Sequence, residues 1–118
     1  MVVDLNKESP REVVEKAYEA IELAKKSGKI KKGTNETTKA IERGTAKLVV
    51  TAKDVNPKEI IMHLPILCEE KDIPFVIVPT KEELGAVAGL KIGTSAISII
   101  QEGEAKNIIK EIISKLKA

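Results

Sequence analysis

Aromatic residues are almost missing from this chain: Tyr18 and Phe75 are present and tryptophan is absent. Modules that hold single-stranded nucleic acid by stacking its bases need several exposed rings. A loose strand is therefore a poor candidate ligand, and a folded duplex or bent junction a better one. Cys68 stands alone, which excludes an internal disulfide and fits a reducing, intracellular setting. One cysteine with one histidine, His63, makes no zinc site. Apolar runs are only a few residues long, so no segment reads as a membrane-spanning helix. The start, Met1-Val2-Val3-Asp4-Leu5, lacks a basic region followed by a long apolar one, so it shows no secretory signal. A cytoplasmic location is expected, with neither metal nor cofactor.

At 118 residues, 42% hydrophobic and 32% charged, the chain suits one domain with a single core. The net charge of +2 says little, but its distribution says more. Eight basic residues between Lys25 and Lys47 face two acidic ones, whereas seven acidic residues between Asp54 and Glu83 face three basic ones. Such a one-sided field favours a polyanion, and equally describes a solvated lysine-rich face.

The pattern alternates helix and strand without repeat or linker. Ser9-Pro10-Arg11-Glu12 reads as a capping box opening a helix to about Ser27, with Gly28 as terminator. Lys29–Lys32 is a short strand candidate. Thr34 is the expected cap of a second helix ending near Gly44. Leu48–Ala52 reads as a buried strand. Asn56-Pro57-Lys58-Glu59 is a second capping box, predicting a helix towards Lys71 in which Pro65 bends the axis or loosens a turn. Ile73–Val78 and Ser95–Ile100 are strands, separated by a short helix capped at Thr80. Gly103–Ala118 is a closing amphipathic helix. Strands apolar on both faces need cover on both sides, which predicts a three-layer α/β/α sandwich around about four strands.

Gly33-Thr34-Asn35-Glu36-Thr37-Thr38-Lys39, entered through Lys29-Ile30-Lys31-Lys32, is the most telling stretch. A helix start leaves backbone N–H groups unpaired and suits a phosphate. Asn35 and Lys39 share a helical face, with Glu36 one step round. A site for phosphate alone would not want the carboxylate. A site that also reads base edges can use it, because a carboxylate accepts the hydrogens that base amino and imino groups donate. Asn35 and Glu36 also suit any helix start for local reasons, and Thr37 and Thr38 read as helix surface. His63 and Cys68 are about 140° apart round a helix and do not face each other, so both read as core or near-core packing.

Several segments together resemble the L-seven-Ae family of archaeal large-subunit ribosomal proteins, which bind kink-turn RNA. They are Lys32–Lys39, Glu42-Arg43-Gly44, Leu48-Val49-Val50 with Asp54-Val55-Asn56-Pro57, His63–Lys71, Ile73-Pro74-Phe75-Val76, and Lys81 followed by Leu84-Gly85. The resemblance runs from about Val13 to Ile100. It implies a sandwich fold and a sharply bent RNA duplex with tandem sheared G·A pairs as ligand. It further implies that Asn35, Glu36 and Lys39 meet guanine edges and that Gly33 lets the backbone approach. Thr34 belongs to the same motif. Lys32 and Arg43 would reach phosphates. Leu90, Lys91 and Ile92 would form a second patch, the apolar pair over an extruded nucleotide, with Ile60 behind and Lys81 on phosphate. The family pattern has proline at 93 and often an acidic residue at 91; Gly93 and Lys91 stand here, predicting a looser, more cationic loop. Asn56 replaces a frequent acidic residue, so a contact by its side chain is not carried over.

The implied partners are kink-turns in ribosomal and guide RNAs, ribosomal proteins and other guide-RNP proteins, bound by a free monomer. The implied roles are large-subunit protein, box C/D and H/ACA core protein and ribonuclease P component, with the modification chemistry left to other proteins. Two rivals stay open from the residues themselves: a small α/β enzyme using His63, Cys68 or an acidic residue near the sheet edge, and a protein-interaction module whose basic helix tip meets an acidic partner. Likewise, Leu90 and Ile92 read without the family as loop residues folded into the core.

Overall fold

The structure, a computed structural model, describes residues 4–117. Met1–Val3, part of the segment read as carrying no signal, and Ala118, the expected end of the last helix, lie outside it. The order is α1 (Arg11–Ser27), β1 (Lys29–Lys32), α2 (Thr34–Glu42), β2 (Leu48–Ala52), a 3-10 turn (Lys58–Ile60), α3 (His63–Glu70), β3 (Phe75–Val78), α4 (Lys81–Val87), β4 (Ala96–Gln101), a second 3-10 turn (Gly103–Ala105) and α5 (Lys106–Lys117).

The four strands form one mixed sheet in the order β1-β4-β2-β3. The β2–β3 pair is parallel; β4 runs antiparallel to both β1 and β2. Every residue of β2 is fully buried, and successive residues point to opposite faces, so both faces of the sheet are covered. Helix α1 packs on α5 and touches α4, while α2 packs on α3. This is the sandwich the sequence predicts. Val14, Ala17, Ile21 and Ala24 of α1 are buried along one stripe, as are Ile109 and Ile112 of α5.

Several local expectations fail, and at Ser9 and Thr34 a tertiary partner takes the group that the sequence assigned locally. Ser9 does not cap α1. Its amide donates to the Ile77 carbonyl at 2.9 Å and its hydroxyl accepts from the Ile77 amide at 3.0 Å, closing part of the exposed edge of β3. Thr34 does not cap α2 but stands at its first helical position, with Gly33 outside it. The helix expected from Asn56 to Lys71 is two pieces, a 3-10 turn ending at Ile60 and α3 starting at His63. Pro65, expected to bend the helix or loosen a turn, lies in the first turn of α3, where its missing N–H has no intrahelical partner to lose. Thr37, expected on the surface, is fully buried. By contrast Thr80 caps α4 as expected, accepting from the Glu83 amide at 3.2 Å.

The register places several connections at one end of the sheet. Lys32 pairs with Ile97 at the end of β1, and the Ala52 amide at the end of β2 donates to the Ser95 carbonyl at 3.1 Å. The Lys53 amide donates to the Val78 carbonyl at 2.8 Å where β3 ends. The starts of α2, α4 and β4 therefore gather there.

Candidate nucleic-acid interface

Two helices begin at this end, and their starts differ. The α4 amides are engaged: Thr80 caps Glu83, and the Lys81 amide donates to Asp54 Oδ1 at 2.8 Å. The start of α2 has no side-chain cap, because Gly33 supplies none. Gly33 adopts φ 92° and ψ 161°, a backbone conformation that a side chain would strain. Its own amide donates to the Ala96 carbonyl at 2.7 Å and its carbonyl accepts from the Thr37 amide at 3.0 Å. The amides of Thr34, Asn35 and Glu36 precede the first intrahelical donor and carry the positive end of the helix dipole.

Asn35, Lys39 and Arg43 are exposed at intervals of four along α2, and Lys32 is exposed immediately before it. Glu36 is partly exposed. The Lys39 ammonium leans to its carboxylate at 3.4 Å, with side chains 55% and 44% exposed respectively. An exposed pair of this kind contributes ~0–1 kcal/mol, so both groups are cheaply released to a ligand.

The segment after α4 is held against that helix. The Leu90 amide donates to the Gly85 carbonyl at 2.8 Å, and the Thr94 amide to the Lys81 carbonyl at 3.1 Å. Ile92 is 76% exposed, Lys91 is exposed and Leu90 half-buried, so Ile92 is not folded into the core. Gly93 sits close to Lys81: a Cβ there would lie 3.0 Å from Lys81 Cγ and 3.2 Å from the Lys81 backbone carbon. Lys81 is thus beside the loop. Ile60 is 42% exposed on its 3-10 turn; among the described residues no hydrogen bond joins that turn to the loop.

Three residues outside the sequence-based set stand out. Ser95 Oγ lies 2.6 Å from Thr34 Oγ1, tying the loop to the α2 tip across 61 positions of chain. No local pattern signals that pairing. His63 is exposed, not in the core, and its Nε2 lies 2.8 Å from Thr38 Oγ1. The Thr38 hydroxyl itself donates to the Thr34 carbonyl at 2.8 Å, so the His63 Nε2–H is the donor and joins α3 to α2. Lys25 lies along the Gly89 backbone, 3.4 Å from where a Cβ would stand, which brings a cation from α1 to the base of the loop.

The family model described as ribosomal protein L7Ae/L30e/S12e/Gadd45 matches residues 15–109. The chain belongs to that family. A solved structure of the Giardia lamblia 15.5kD RNA binding protein matches this member of the L7Ae/L30e/S12e/Gadd45 family with a TM-score of 0.89. The two are 31% identical, and the match covers 98% of each chain. Both findings support RNA as the partner of a protein of this kind.

The residues on which an enzyme reading would rest are spread over the molecule, His63 beside α2 and Cys68 in the core. Cys68 is 1% exposed, and burial pushes its thiol up to about 12. The thiolate is the reactive form, and it is negligible in the native protein at mildly alkaline pH. We expect a thiol-specific chromogenic reagent to leave the native protein unlabelled and to titrate one thiol after denaturation; rapid native labelling would show Cys68 to be accessible. A cleft of about 380 Å³ between α1 and the start of α4 is lined by Glu8, Tyr18 and Glu83. Tyr18 donates to Glu83 Oε1 at 3.0 Å, and burial followed by that carboxylate raises the phenol pKa, so it stays protonated. Among the described residues no helix is long and apolar enough to cross a membrane, and no three His, Cys, Asp or Glu side chains gather as metal ligands.

Proposed function

We propose that this chain is a non-catalytic protein of the archaeal large ribosomal subunit that recognises kink-turn RNA and holds it bent. In the same reading it is the kink-turn-binding core of box C/D and H/ACA guide RNPs and of ribonuclease P. All 118 residues act as one unit, monomeric when free and cytoplasmic. The observation that carries the proposal is the juxtaposition at one end of the sheet. An uncapped helix start bearing Asn35, Glu36 and Lys39 stands beside a loop that exposes Ile92.

That pairing suits a ligand with anionic, base-edge and apolar parts in fixed relation. Guanine offers N1–H and N2–H₂ donors to Glu36 and an O6 acceptor to Lys39 or Asn35. Lys32, Arg43 and Lys81 neutralise phosphates, which fixes register without reading sequence. Gly33 lets the α2 backbone approach, with Thr34 at the same tip. Leu90 and Ile92, with Ile60 behind, cover an unstacked nucleotide, and Lys91 adds attraction. Free RNA samples the bent form; the protein adds contacts that only this form can make, and so shifts the population.

The deciding experiment titrates the protein against a kink-turn RNA and the same RNA with its G·A pairs disrupted, with fluorescence transfer reporting the bend. Roughly 10²-fold tighter binding to the intact RNA is expected, with a rise in transfer. Equal affinity for both would favour a basic surface that ignores nucleotide identity, or a site meant for an acidic protein.

A further inference from the structure

The two candidate patches come from segments about sixty positions apart in the chain, yet the structure joins them at one point. Thr34 immediately precedes Asn35 and Glu36; Ser95 follows Ile92 and Gly93. Their hydroxyl oxygens are 2.6 Å apart and both residues are half-buried. A backbone bond runs alongside, from the Gly33 amide to the Ala96 carbonyl at 2.7 Å. Behind Ser95, its carbonyl accepts from the Ala52 amide at 3.1 Å, so the loop end is fixed to the sheet as well. Thr34 sits at the first helical position, and its hydroxyl caps nothing in α2.

Rigid spacing matters for a ligand that must meet both patches. If the patches shift relative to each other, the second contact must be ordered again at its own entropic cost. If they are held, binding at the first presents the second at high effective concentration. Resting on the kink-turn reading, we propose that the Thr34–Ser95 hydroxyl pair is a positioning link. It sets the distance between the base-reading α2 tip and the apolar loop, and RNA affinity depends on it without a contact from Ser95. Ser95 is then a determinant of kink-turn binding that lies outside the contacting set.

The test is a double-mutant cycle on the full chain, read by titration with the kink-turn RNA. Thr34→Val and Ser95→Ala each remove one hydroxyl. Each is expected to weaken binding roughly 3- to 10-fold, the scale of one hydrogen bond, and the double variant no more than the weaker single. Thr34→Ser keeps the oxygen and should recover most of what Thr34→Val loses. Binding to a plain duplex, which does not engage both patches, should be unchanged in Ser95→Ala. Additive losses would mean that the hydroxyls touch RNA separately, and this overturns the link. Equal losses on kink-turn and duplex would mean general damage, and overturn it too. Should the parent protein itself fail to prefer the kink-turn, both this inference and the proposed function fall; preference kept with Ser95→Ala silent sinks the link alone.

Discussion

Replacing Glu36 by alanine should weaken binding to kink-turn RNA by roughly 10- to 100-fold. The sign is the informative part. Glu36 is an anion at a cationic helix tip, flanked by Lys32, Lys39 and Arg43. If the tip attracted RNA by charge alone, removing a carboxylate would strengthen binding and free Lys39 from its 3.4 Å partner. If Glu36 accepts hydrogens from a guanine edge, its removal costs about 1–3 kcal/mol of base-specific interaction and leaves the base donors unpaired. The ion pair with Lys39 does not obscure the outcome, since both groups are half-exposed and their mutual attraction is weak. Glu36→Gln sharpens the test: it keeps one acceptor oxygen but sets an amide donor against base donors, so most of the loss should remain. Lys110→Ala, on an exposed face of α5, should change affinity by less than about twofold in the same gel-shift series. An unchanged or improved affinity for Glu36→Ala would remove base reading from the account and leave a generic polyanion site.

The part of this site that could be read from sequence is the part built on one short helix. Asn35, Glu36 and Lys39 follow from helical spacing once Gly33 marks the start, because neighbours three and four apart must share a face. The strands were legible for a similar reason: unbroken β-branched runs such as Leu48–Ala52 have no stable place except under two covering layers. Misreadings cluster where a local motif competes with a distant partner. Ser9 has the right neighbours for a capping box, but the β3 edge offers it two hydrogen bonds instead of one. Thr34 looks like a cap, yet its hydroxyl is committed to Ser95. Asn56-Pro57-Lys58-Glu59 opens only a 3-10 turn, and α3 starts afresh at His63. The second patch was visible only through family resemblance. Nothing local in Leu90-Lys91-Ile92-Gly93 says that it lies beside the α2 tip; that follows from β4 inserting between β1 and β2.

Gly85→Ala gives the clearest test of how the second patch is seated. Gly85 is buried inside α4, where alanine is normally better than glycine by ~0.5–1 kcal/mol. The surroundings reverse that preference. A Cβ at 85 would stand 2.1 Å from the Ile92 carbonyl oxygen and 3.1 Å from the Gly93 α-carbon, both of them backbone. No rotamer change relieves a backbone clash, so the loop must lift by about 1 Å, and forced shifts of this sort cost about 1–3 kcal/mol. The net expectation is a lower melting temperature by several degrees together with a roughly tenfold loss of kink-turn affinity, because Leu90 and Ile92 move with the backbone that carries them. Gly44→Ala separates the two effects. Gly44 has φ 72° and open space around it at the far end of α2, so alanine there is strained by about 1–2 kcal/mol without touching the loop. It should therefore melt early, like Gly85→Ala, yet bind the kink-turn nearly as the parent does. If both glycine variants lost affinity in proportion to their melting temperatures, general stability would explain the result, and the loop's seat on α4 would have no separate part in recognition.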